Sequence, residues 1–165
     1  MIVDAYLVLK FLHVIGAAVL LGTGAGIAFF MVRAHSTRNP AIVAAVAEIV
    51  VLADFLFTAT AVVAQPVTGL LLVRVAGYSI WDDWIVLSIV LYLVTGAFWL
   101  PVVWMQMRMR GLSAKAAREA NPLPLAYHRL YRLWFAFGFP AFAAVVAIFW
   151  LMIARPDFGL MTAAG

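Results

Sequence analysis

Lys10 and His13 stand three residues apart in the first apolar stretch of the chain, so on a helix they share one face. An imidazole inside a membrane helix serves either as a ligand to a haem iron or as a hydrogen-bonding group between helices. An ammonium one turn nearer the surface is placed to meet a haem propionate, or simply to snorkel toward the headgroups. Both readings stand on these residues. Counting inward at about 1.5 Å per residue from the end of each apolar stretch brings Gln65 and Tyr92 to the depth of His13, with Thr68 and Ser88 slightly further out. Lys10, His13, Gly16, Gln65 and Tyr92 are therefore the candidate cofactor-binding residues, with haem b as the candidate cofactor and His13 as its metal ligand. One iron cannot reach both His13 and His128, which are expected near opposite membrane faces.

A second polar group is expected near the other face, where Asp54 and Arg132 fall at comparable depth with Glu48, His128 and Arg129 nearby. An ion-pair network fixing helix order is one reading of Asp54, His128, Arg129 and Arg132, and a substrate-anion or proton path is the other. His35 sits in a basic loop and is expected to be solvated. No catalytic residue is assigned. A P-loop, a nucleophile elbow and a zinc-protease HExxH motif are all missing, and with no cysteine there is no thiolate site or disulfide.

The elements that must position these residues follow from composition. At 67% hydrophobic and only 11% charged, 165 residues cannot hide their apolar surface in a soluble core. Hydropathy resolves into four blocks of helical length, about 6–32, 42–73, 84–107 and 130–154. Helices are required because each backbone N–H and C=O must be paired within its segment once lipid replaces water. The expected fold is all-α, an integral membrane four-helix bundle forming a single transmembrane domain over residues 1–165. The second block is too long for one perpendicular span and carries Glu48 and Asp54, so its first turns are expected to project from the membrane or lie at its surface, and the span to run from about 50 to 73. Met1 to Asp4 lack the basic start of a signal peptide, so the first helix is read as retained.

Lys and Arg set the orientation. Arg33, Arg38, Arg108, Arg110, Lys115, Arg118 and Arg129 cluster between blocks one and two and between blocks three and four. The other side carries Arg74 and Arg155 against Asp4, Asp82, Asp83 and Asp157. Both termini are thus expected outside (N-out, C-out), with 108–129 a cytoplasmic connector whose Ser113 caps a short helix to Ala120. The basic collar suits anionic lipid rather than nucleic acid. The expected partner is the lipid bilayer, with a homo-oligomer or a membrane partner as candidates. Trp81 and Trp84 suit the headgroup layer. Gly22 and Gly26 form a GxxxG extended by Ala18, expected to let helices pack closely. Pro66, Pro101 and Pro140 each free a backbone carbonyl within a helix.

The segments Leu9-Lys10-Phe11-Leu12-His13-Val14-Ile15-Gly16, Ala64-Gln65-Pro66-Val67-Thr68-Gly69-Leu70 and Tyr127-His128-Arg129-Leu130-Tyr131-Arg132-Leu133-Trp134-Phe135 resemble a family of predicted bacterial four-helix integral membrane proteins of unknown function. That resemblance covers nearly the whole chain and implies a bacterial inner-membrane location. More distantly, the chain is similar to the haem-b membrane protoporphyrinogen IX oxidases and to the membrane domain of copper-resistance protein D. The shared features are Lys-x-x-His in helix one, Pro and Gly late in helix two, and a basic start to helix four. This similarity implies that His13 is a haem ligand and that any enzyme activity is that of a haem-dependent membrane oxidoreductase. The oxidase family's lysine early in helix three is replaced by Leu87, Ser88 and Ile89. A small transporter, channel or metal-handling protein, or a non-catalytic membrane subunit or assembly factor, remains the alternative reading.

Overall fold

The computed structural model describes residues 2–159, and side chains from Ala5 onward. The side chain of Asp4 and the extreme ends of the chain, on which part of the N-out, C-out expectation rests, lie outside the described residues. Four long helices make up the fold: α1 (Ile2–Ser36), α2 (Pro40–Ala76), α3 (Asp83–Arg118) and α4 (Leu125–Ala154). All four are long and apolar enough to cross a membrane, and among the described residues there is no strand.

Each helix runs further than hydropathy alone suggests. At 37 residues, α2 measures about 55 Å, well beyond a hydrocarbon core of roughly 30 Å. Its start is fixed by Asn39, whose Oδ1 accepts from Ala41 N at 2.9 Å and Ile42 N at 3.4 Å, with Pro40 in the first turn. These first turns pack into the bundle, with Val43, Ala47 and Val50 burying completely against the neighbouring helices. The helix ends at Gly77, whose φ of 75° closes a left-handed cap that a side chain would strain.

The connector expected over 108–129 is mostly helix. α3 continues unbroken through Gly111 to Arg118 because Met105, Met109, Ser113 and Ala116 carry its buried face onward. Ser113 is no N-cap; it is fully buried in mid-helix and donates to Met109 O at 2.9 Å. The true turn is short. Asn121 N reaches back to Ala116 O at 2.9 Å, Ala120 adopts a φ of 51°, and Pro122 and Pro124 precede α4, which begins at Leu125 rather than at 130.

The helices do not pack evenly along their length. α3 and α4 lie against each other most extensively, and α2 packs on α1 along its whole length but on α3 chiefly through its first half. The main cluster of buried apolar residues sits toward the basic end, around Met31, Val43, Met109, Tyr127 and Trp134. The Ala18, Gly22, Gly26 stripe is not part of it. Gly22 has open space where a Cβ would stand, and Gly26 faces only Phe30 of its own helix, so the expected close packing does not occur within this chain.

The packing of α2 on α3 thins at an irregularity. Between Asp54 and Thr58 the backbone of α2 widens into a π-helical turn, and Ala59 N bonds back to Asp54 O. Such turns insert a residue and re-aim the helix face that follows, and they recur at functional positions.

Candidate functional site

Two polar clusters lie inside the bundle. The first joins α1 to the second half of α2. Gln65 Nε2 donates to the backbone carbonyl of His13 at 2.9 Å, and His13 Nδ1 meets Thr68 Oγ1 at 2.8 Å. Both contacts need close helices, and glycines provide them. A Cβ on Gly16 would run into the Gln65 amide, while one on Gly69 would come within 3.2 Å of His13 Cε1. His13, Gly16 and Gln65, expected together, are therefore brought together, with Thr68 and Gly69 completing the seam.

Lys10 and Tyr92 stand apart from this cluster. Lys10 is exposed one turn away with its Nζ 5.6 Å from the centre of the Tyr6 ring. Tyr92 donates its hydroxyl to Val62 O. Pro66 explains that contact: having no N–H, it leaves the carbonyl four residues earlier unpaired, and a phenol from α3 supplies the missing donor. Ser88 turns back to Trp84 O of its own helix at 2.6 Å.

The second cluster surrounds Asp54, midway along α2 and only 4% exposed. Its expected partner Arg132 does not reach it. Two positions along a helix turn through roughly 200°, so when Trp134 faces inward, Arg132 faces away. Asp54 instead meets neutral donors. Trp99 Nε1 donates to Oδ1 at 3.4 Å, and Gln106 Nε2 donates to Oδ2 at 3.1 Å, in the amide orientation where Gln106 Oε1 accepts from Trp134 Nε1 at 3.2 Å. The indole fixes that orientation, since it can only donate. Thr58, one turn along the π-helical segment and nearly as buried, has an Oγ1 that closes no hydrogen bond to any atom.

His128, Arg129 and Arg132 lie at the basic end, separate from Asp54. His35 is not solvated in a loop there: it belongs to the last turn of α1, where its ring stacks on Tyr131 at 3.6 Å and its Nδ1 lies 3.4 Å from Tyr127 Oη. His128 meets His35 edge-on at 5.6 Å. At the opposite end, Arg155 bonds the Tyr78 hydroxyl and lies over the Trp84 ring at 5.6 Å, tying the end of α4 to the α2–α3 turn.

A family model described as a predicted integral membrane protein matches residues 7–156. The chain belongs to the DUF2269 family. No curated protein and no solved structure matches it. The DUF2269 match spans both polar clusters, so the chain is an integral membrane protein whose four helices bring polar groups into a bilayer. Among the described residues no three His, Cys, Asp or Glu side chains gather as metal ligands. The residues that sequence reasoning missed in this DUF2269 chain are Thr58, Trp99, Gln106 and Trp134. A signal for three of them exists: Tyr92, Trp99 and Gln106 recur every seven residues, which puts them on one face of α3, and Thr58 follows Asp54 by four on α2.

Proposed function

We propose that this chain is a membrane redox protein that binds one b-type haem with His13 as its protein axial ligand. The observation that carries the reading is the contact between His13 Nδ1 and Thr68 Oγ1. The single proton of the Thr68 hydroxyl is already directed to Ala64 O at 2.8 Å, so toward the imidazole this oxygen accepts. Nδ1 therefore carries the hydrogen and Nε2 keeps its lone pair, the arrangement by which partners behind a ligand histidine orient it toward iron. Lys10, exposed one turn nearer the chain's start, is the charge available to a propionate.

The residues fit a haem held from one side. A single histidine with its tautomer set lies on the bare backbone of Gly69, and His128 belongs to the far end of the bundle. Haem would supply one-electron transfer at this position, while the protein fixes the imidazole and offers a cation to the periphery.

A pyridine haemochrome assay on protein expressed with haem precursor tests the reading. We expect stoichiometric haem in the wild type, none in His13→Ala, and haem affinity lowered about 10-fold or more in Thr68→Val, which cannot accept from Nδ1. A colourless wild type, or a His13→Ala protein that keeps its haem, ends the proposal.

A further inference from the structure

Asp54 poses a problem that the haem reading does not touch. A carboxylate buried in the interior of a membrane bundle needs a compensating charge, and no neighbouring helix brings one. Glu48 and Arg74 are the nearest ionisable residues on α2 itself. α1 carries none between His13 and Arg33, α3 none between Tyr92 and Arg108, and α4 none between Arg132 and Arg155. The groups that touch the carboxylate are neutral, and their polarity is fixed. Trp134 donates to Gln106, Gln106 donates to Oδ2, and Trp99 donates to Oδ1, so each carboxylate oxygen is held as an acceptor.

Two lone pairs are thereby used, and a carboxylate has about four. Thr58, four residues further along α2, is nine-tenths buried, with an Oγ1 that has no partner. A metal cation is poorly served here, because indole and amide N–H groups surround the carboxylate and a cation needs several oxygen ligands. A proton needs only one acceptor beyond the oxygen that binds it.

We propose that Asp54 is an intramembrane proton-binding site, in which the carboxyl group takes a single proton on the lone pair facing Thr58 and donates it to Thr58 Oγ1. Trp99 and Gln106 hold the carboxyl in place in both protonation states, since their bonds go to lone pairs the proton does not occupy. The π-helical turn sets the geometry by bringing Asp54 and Thr58 onto the buried face of α2. The site takes its charge compensation from a proton exchanged with the aqueous phase, which makes it a candidate station in proton movement into the membrane.

Infrared spectroscopy of the purified protein in lipid nanodiscs, titrated over the pH range in which it stays folded, tests the assignment. We expect a carboxylic-acid C=O stretch that shifts in heavy water, disappears reversibly at alkaline pH and is absent from Asp54→Asn. In Thr58→Val the band should remain and move to higher frequency, because the acid loses its acceptor; this variant carries the test should Asp54→Asn fail to fold. Three results overturn the proposal: no acid band at any pH, a band unchanged in both variants, or a band abolished at constant pH by replacing choline with sodium, which would assign the site to a metal cation.

Discussion

Toward the basic end of the bundle Met31, Val43, Met109 and Tyr127 are almost wholly enclosed by one another, whereas toward the other end the buried apolar residues thin to Ala61, Ile85, Ala144 and Leu151. There the helices meet through Gln65 and the His13 carbonyl, His13 and Thr68, Tyr92 and the Val62 carbonyl, and the Arg155 clasp. Lipid tails are as apolar as leucine, so burying a methyl group gains little over leaving it in the bilayer. Helices in a membrane are held by close van der Waals contact or by polar atoms, and this chain uses one device at each end. The densely packed end has little room for a ligand. The other end leaves Lys10 exposed and His13 part-exposed.

The comparison is broken most easily at Tyr127, which has no exposed surface and touches His35 and Tyr131. Tyr127→Ala removes the largest fully buried side chain of the packed end, and a stability loss of about 3 kcal/mol is expected in a reversible unfolding measurement. A loss under about 1 kcal/mol would mean that the dense packing does not hold this end.

Polar contacts at the other end should count for less, about 0.6 kcal/mol each as is usual between membrane helices. Gln65→Ala tests one directly. Gly16→Ala tests it from the other side, since its Cβ would displace the Gln65 amide from the His13 carbonyl. The two changes remove the same bond, so the double variant should lose no more than the larger single loss, and full additivity would show that they act separately.

Much of this architecture is legible before any coordinates. Four helices follow from hydropathy, and counting residues inward placed His13 level with Gln65, which it meets. Depth has no azimuth, however. The same count put Arg132 level with Asp54, and the fold turns Trp134 there instead, because burial on α4 selects a face that sequence depth does not contain. The stretch 108–118 misled for a different reason. Arg108, Arg110, Lys115 and Arg118 end the apolar run of α3, and that is not where the helix ends; Met109, Ser113 and Ala116 continue at helical spacing beneath them. The π-helical turn has no sequence signal we recognise.

The smallest expected effect is at Gly22. The GxxxG pattern predicts that a large side chain there would pry helices apart, yet Gly22 has nothing within 4 Å of a built Cβ and lies on the face of α1 turned away from the other helices. Gly22→Leu should therefore leave the unfolding midpoint within measurement error or raise it slightly, since leucine favours a helix by up to about 1 kcal/mol over glycine. The contrast with Gly16, on the same helix but against Gln65, makes the pair informative. If Gly16→Ala destabilises and Gly22→Leu does not, the seam of α1 is its His13 face alone. If Gly22→Leu destabilises as well, the stripe has a partner outside this chain, and comparing the association state of the two variants in detergent would show whether that partner is a second copy.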